Sequence, residues 1–217
     1  MIRLHHCPQT RSMRSLWLLH ELGVDFELHT YPFDKTLRQE PYRSLNPTGR
    51  VPTLEIDNVV LTESGAIAEY LCERFQEANL GRDPSHADRA QWLNWIHFAE
   101  TISQHTAALT QQHIALYADH MRSPIVMQLE AKRLSKTLAT VEAGLGDDYL
   151  LSAFSAADIG VGQAAYMAQH FVSLDPFPRL SAWFERLQAR AAFQKSLPDG
   201  PGLYAQSFYP PWPVPDA

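Results

Sequence analysis

The sequence predicts a small α/β domain followed by an all-helical one. Two observations carry this expectation. Short strand patterns alternate with helical ones up to about residue 76, whereas from Pro84 onward apolar residues recur only at helical spacing. Between them "EANLGRDPS", residues 77 to 85, is polar with Gly and Pro and reads as a linker. The expected domains are residues 1–78 and 86–217.

The elements follow in order. "IRLHH" reads as a strand, and "SMRSLWLLHELG" as a helix with Leu16, Leu19 and Leu22 on one face and Gly23 as its stop. "DFELHTYPF" is a second strand. Residues 35 to 45 form a short or irregular helix closed by "LNPTGRVP". "TLEID" and "VVLTE" pair across Asp57-Asn58, a two-residue hairpin signal without glycine. "SGAIAEYLCERFQEA" is a helix burying Ile67, Leu71 and Phe75. The order is βαβαββα.

In the second half, residues 86 to 121 carry one long helical pattern. The next helix, within residues 123 to 145, buries Met127, Ala131, Leu134, Leu138, Val141 and Leu145. "SAADIGVGQAAYMAQHF" opens with Ser155 and Asp158 at capping-box spacing, with Asp in place of Glu or Gln. Pro178 begins a last amphipathic helix running to Leu197.

Composition narrows the function. Of 217 residues, 45% are hydrophobic and 19% charged, which argues against disorder. A net charge of −6 spread along the chain argues against nucleic acid as a partner. No apolar run reaches the ~18 residues a membrane helix needs. Two cysteines, Cys7 and Cys72, make no disulfide framework, and the start is too polar for a secretory signal, so a cytoplasmic home is expected. Strand alternation turns His6 away from His5 and Cys7, so these three do not converge on a metal, and none is expected.

"GRVPTLEIDNVVLTESGAIAEYL", "SAFSAADIGVG" and the βαβαββα order together resemble the cytosolic glutathione transferases. The likeness spans nearly the whole chain up to about Leu197. It implies a thioredoxin-like first domain and a helical-bundle second domain. "CPQTRSMRSLWLLHELG" is similar to a bacterial and fungal subgroup with Ser-Arg-Ser or Thr-Arg-Ser before "LWLL". Counted back from Gly23 without gaps, the serine of theta and zeta transferases falls on Gln9 and the beta-class cysteine on Arg11, so the loop departs from those classes.

The resemblance implies a cis peptide before Pro52 that presents the Val51 backbone to a peptide ligand as an added strand would. Glu63 and Ser64, between a strand end and a helix start, suit the ammonium and carboxylate of the γ-glutamyl end of glutathione. Ser64 alone also reads as an N-cap. Arg50 is the candidate for the glycine carboxylate, with Arg38, Gln39 and Arg43 unranked beside it. Thr10 is the first candidate to activate the glutathione thiol and Ser12 the second, with Arg11 supplying charge. Ser12 reads equally as a helix cap.

The implied activity is addition of the glutathione sulfur to a small hydrophobic electrophile held between the domains, with a role in detoxification and a homodimeric assembly. Phe98, Tyr117 and Tyr166 are candidate walls for that substrate and equally ordinary core aromatics. His97, His105, His113 and His120 fall on roughly one helix face. Two alternatives stay open: a glutathione-dependent reductase or peroxidase working through Cys7 in "CP", and a non-catalytic binding module of the same fold.

Overall fold

The computed structural model describes residues 1–200, 202–204, 207 and 208. The expected second domain beyond residue 208 lies outside them. By packing, the chain divides into two units. Unit 1 comprises Met1–Trp92 with the described residues from Gln188 up to Tyr204, and unit 2 is built on Leu93–Leu187.

Unit 1 is a four-stranded mixed sheet with helices. The strands are β1 (Ile2–His6), β2 (Glu27–Thr30), β3 (Thr53–Ile56) and β4 (Val59–Leu61), in the spatial order β2-β1-β3-β4. β1 and β2 are parallel and joined through α1 (Ser12–Leu22), whereas β3 is antiparallel to both β1 and β4. Asp57, at φ 53°, makes the tight turn that pairs Ile56 with Val59, so the hairpin forms without glycine. Between β2 and β3 run a 3₁₀ turn (Thr36–Arg38) and the four-residue α2 (Tyr42–Leu45), the irregular segment expected there. After β4 comes α3 (Ser64–Arg74), which packs against α1.

Alternation along β1 sorts its side chains. Leu4 and His6 are buried, and His6 faces α1, where its Nδ1 lies 2.8 Å from Ser12 Oγ. His5 points the other way, with Nδ1 2.9 Å from the Tyr31 hydroxyl and Nε2 2.9 Å from Glu55 Oε1. The apolar stripe of α1 packs Leu16, Trp17, Leu18 and Leu19 into the core, and Gly23 at φ 66° stops the helix.

Two boundaries differ from expectation. Residues 86–92 and the segment from Gln188 pack with unit 1, not with the helical unit. Trp92 Nε1 donates to the Leu80 carbonyl at 3.2 Å. Arg190 forms a two-pronged bond to Glu21 at 2.7 and 2.8 Å, and Phe193 meets the Trp17 ring edge-on at 4.9 Å. The extended backbone of Arg190 also splits the expected last helix into α7 (Pro178–Gln188) and α8 (Ala191–Lys195).

In unit 2 the helices are α4 (Arg89–Thr110, which starts in unit 1), α5 (Pro124–Gly144), α6 (Ala156–Ala168) and α7. All six apolar positions expected near α5 are buried. The long helix expected over residues 86–121 ends at Thr110, continues as a π turn (Gln111–Ala115) and then a 3₁₀ turn (Asp119–Met121). His113 and His120 thus lie outside α4, and the four histidines share no face. His105 is buried and its Nδ1 lies 2.7 Å from Glu130 Oε2 of α5. Tyr117 is 81% exposed and belongs to no core. The capping box at the start of α6 forms as expected, with Asp158 fully buried. Among the described residues no helix is long and apolar enough to cross a membrane.

Candidate functional site

The site grows from three chain segments of unit 1: the β1–α1 turn, the approach to β3, and the start of α3. The approach to β3 is held by a local lattice. Tyr42 donates its hydroxyl proton to the Arg50 carbonyl and lies 2.7 Å from Thr53 Oγ1, and Asn46 Nδ2 donates to both, at 2.9 and 3.0 Å. Asn46 Oδ1 accepts from the Thr48 N–H at 3.1 Å. Gly49 sits at φ 61°, and a Cβ there would stand 2.9 Å from the Leu37 carbonyl, so this turn needs glycine. The lattice delivers Val51 half-buried, with a cis bond to a buried Pro52. Arg50 is exposed, so its carbonyl serves the turn while its side chain faces solvent.

β3 and β4 run antiparallel with Leu54 opposite Leu61. Glu63 is the N-cap of α3, exposed and without a side-chain cap bond, so Ser64 is not the cap. Ser64 is buried, and its Oγ accepts from Arg14 Nη1 at 3.2 Å. The first turn of a helix carries N–H groups with no intrahelical acceptor and a positive partial charge. Here that turn adjoins a hydroxyl and a guanidinium, a combination suited to a carboxylate.

Arg14 was missed in the sequence. It is 6% exposed, in a helix whose residues from Ser12 to Leu19 are all buried. The available signal was an arginine four residues before Leu18, inside the apolar stripe where a cation needs a reason to be.

The β1–α1 turn is a closed hydroxyl network. Ser12 is fully buried and is the first residue of α1, with Arg11 at the N-cap making no side-chain cap bond. Ser12 is therefore not the cap. The cap-like bond comes from Thr10, whose Oγ1 accepts from the Ser12 N–H at 3.3 Å. Ser12 Oγ accepts from the Cys7 N–H at 3.1 Å and lies 2.8 Å from both His6 Nδ1 and Thr10 Oγ1. Thr10 also donates to the Cys7 carbonyl at 2.8 Å. Thr10 and Arg11 are half-buried, so of the two hydroxyls only Thr10 reaches toward solvent. Burial pulls His6 down to about 4 against the opposing pull of Ser12, so its imidazole is neutral at physiological pH.

Gln9, at φ 54°, is buried, and its Oε1 accepts from the Tyr204 N–H at 2.9 Å. Its side chain is thus engaged by the C-terminal segment. Cys7 is 1% exposed, and burial, reinforced by the Asp34 charge, pushes its thiol up to about 11. Such a thiol is protonated at neutral pH and a weak nucleophile. Burial pushes Cys72 in α3 higher still, to about 12, the core cysteine its setting implied.

With this geometry in view, two family models match the chain: "Glutathione S-transferase, N-terminal domain" over residues 6–74 and "Glutathione S-transferase, C-terminal domain" over residues 111–186. The chain is 32% identical to glutathione S-transferase-like protein OpS6 of Beauveria bassiana, with 82% of this chain and 85% of that protein aligned. It is 31% identical to glutathione S-transferase 4 of Zea mays, over 84% of this chain and 85% of that one. Among solved structures it is similar to a sphingomonad glutathione S-transferase complexed with glutathione. There the TM-score is 0.75 and the identity 25%, covering 90% of this chain and 96% of that one.

Proposed function

Because this chain belongs to the glutathione S-transferase family, we propose that it binds glutathione on unit 1 and adds the thiol sulfur to a small hydrophobic electrophile. The observation that carries this reading is the Arg14 guanidinium on the Ser64 hydroxyl at the start of α3, a helix start equipped for a carboxylate. The cis bond from Val51 to Pro52 in the same unit offers a backbone edge for strand-like pairing. The γ-glutamyl carboxylate sits at the start of α3 on Ser64, its ammonium beside Glu63, and the cysteinyl main chain on Val51. Exposed Arg50 takes the glycine carboxylate.

The sulfur then lies toward the β1–α1 turn, where Thr10 donates its hydroxyl proton and Arg11 adds positive charge. A glutathione thiol resembles free cysteine, with a pKa near ~8.5, and a drop of about two units represents ~2.7 kcal/mol. The thiol proton leaves to solvent as the thiolate forms. The thiolate attacks the electrophilic carbon, an S–C bond forms, and the displaced electron pair departs with a leaving group or moves into the substrate. The Thr10-Arg11-Ser12 loop supports placement in the bacterial and fungal subgroup. A cytoplasmic homodimer acting in detoxification accords with this reading.

The test is conjugation of glutathione to a panel of electrophiles between about pH 6 and 9, comparing wild type, Thr10→Ala and Cys7→Ser. Thr10→Ala should lose up to about 10²-fold at neutral pH, and Cys7→Ser should keep nearly all turnover. Loss confined to Cys7→Ser, with reduction of mixed disulfides faster than conjugation, would replace the hydroxyl reading with a thiol one. Glutathione binding with no turnover on any substrate would favour the binding module.

A further inference from the structure

We propose that His6 and Ser12 are positioning residues for glutathione activation: they form a buried hydrogen-bond relay that positions and polarises the Thr10 hydroxyl toward the glutathione sulfur. The inference rests on the reading that Thr10 faces that sulfur.

Two 2.8 Å contacts join the relay, His6 Nδ1 to Ser12 Oγ and Ser12 Oγ to Thr10 Oγ1. Ser12 Oγ has two lone pairs and one proton. One lone pair takes the Cys7 N–H at 3.1 Å, and His6 in its Nδ1–H tautomer supplies an N–H to the other at 2.8 Å. The single Ser12 proton then donates, with Thr10 Oγ1 at 2.8 Å and the Cys7 carbonyl at 3.1 Å as its acceptors, the shorter contact being the one to Thr10. Thr10 Oγ1 accepts from the Ser12 backbone N–H as well, at 3.3 Å. In the structure the Thr10 proton goes to the Cys7 carbonyl at 2.8 Å. A thiolate facing Thr10 takes this proton in place of that carbonyl.

Two further features favour the polarising role. The relay is dry: His6 is 3% and Ser12 0% exposed, so water cannot compete for its bonds and each bond polarises the next. His6 is also held neutral by burial, so one ring nitrogen carries a proton; with that proton on Nδ1, Ser12 accepts it and keeps its own proton to donate onward. A neutral relay delivers polarisation without placing a second charge under the thiolate. No proton is transferred along it, since the thiol proton leaves to solvent.

The experiment compares His6→Leu, His6→Asn, Ser12→Ala, Thr10→Ala and the double variant Ser12→Ala/Thr10→Ala. The readouts are the pKa of the bound glutathione thiol, followed by thiolate ultraviolet absorbance, and kcat and KM for glutathione in conjugation. Ser12→Ala should lower kcat at neutral pH about 10-fold and raise the thiol pKa, with KM within about 3-fold of wild type. His6→Leu should act in the same direction by about 3- to 10-fold, and His6→Asn, which returns an N–H near the Nδ1 position, should recover most of the loss. The double variant should be no worse than Thr10→Ala alone, because both act through one hydroxyl.

Wild-type thiol pKa and kcat in folded Ser12→Ala and His6→Leu, against impaired Thr10→Ala, would overturn the relay while leaving Thr10 in place. Additive losses in the double variant would overturn it too. Unimpaired Thr10→Ala would instead remove the hydroxyl reading and the relay with it. If His6→Leu does not fold, the Ser12 and Thr10 cycle decides the matter alone.

Discussion

Replacing Asp158 tests how unit 2 is held at its least forgiving point. The carboxylate is 0% exposed and satisfies three N–H donors. Oδ1 accepts from the Leu150 backbone and from Trp183 Nε1, both at 3.0 Å, and Oδ2 accepts from the Ser155 N–H at 3.0 Å. It therefore ties the start of α6 to the loop before it and to α7, well beyond the cap role that its spacing from Ser155 announces. Burial raises its carboxyl above the usual range, opposed by those same donors. Asp158→Ala leaves three buried N–H groups without an acceptor. At about 1–3 kcal/mol each, and less than additive because they share one residue, the loss should reach about 3–5 kcal/mol. For a chain of this length that is a fall in Tm of roughly 10 °C or more. Asp158→Asn keeps an acceptor for Leu150 and Trp183 but sets an NH₂ against the Ser155 N–H, so about 2–3 kcal/mol is expected. The assay is thermal unfolding followed by circular dichroism, with glutathione titrated calorimetrically into each folded variant. Affinity should stay at the wild-type value. An unchanged Tm in Asp158→Ala, or altered affinity at wild-type Tm, would refute the reasoning.

Three other outcomes are expected. The folded His6 sits near 4 and an unfolded histidine near 6.5, so the unfolded state binds more protons between those values. Stability should therefore fall as pH drops through that window, by up to about 3 kcal/mol from this group; denaturant unfolding from about pH 7 to about pH 4 should show a shallower loss in His6→Leu. Ser64→Ala and Glu63→Ala should each weaken glutathione binding by about 1–3 kcal/mol, since each removes a bond to a charged group. Unchanged calorimetric affinity in both would count against the γ-glutamyl assignment. Sedimentation at micromolar concentration should give a species of twice 24.6 kDa; a single species at that chain mass would count against the dimer.

Much of the fold was legible in the chain because the signals are local. Strand alternation in "IRLHH" already separated His5 from His6, and both find partners on opposite faces of β1. The Ser155–Asp158 spacing announced a capping box three residues long, and a bond that short needs no tertiary context. The hairpin at Asp57 formed where two turn-favouring residues separated two apolar runs. Boundaries were less legible. Apolar periodicity continues past Thr110 and across Gln188, so pattern alone extended both helices. The second breaks at Arg190, whose backbone is extended and whose side chain binds Glu21, 169 residues away in sequence.

The sequence by itself determined the βαβαββα order, the all-helical second half, and the residue types of the candidate site. Hydrophobic period, turn chemistry and short motifs act over a few residues, and that information lies along the chain. Only the tertiary structure decided how those residues act. Folding α1 against α3 brought Arg14 onto Ser64, 50 positions away, and made a possible cap the acceptor of a guanidinium N–H. Packing α1 on β1 sealed Ser12 beside His6 and left Thr10 as the hydroxyl nearer solvent. The same burial pushed the Cys7 thiol up to about 11, out of reach of ionisation at neutral pH. Burial and long-range pairing set pKa values and hydrogen-bond direction, and neither is a property of a residue's neighbours in sequence.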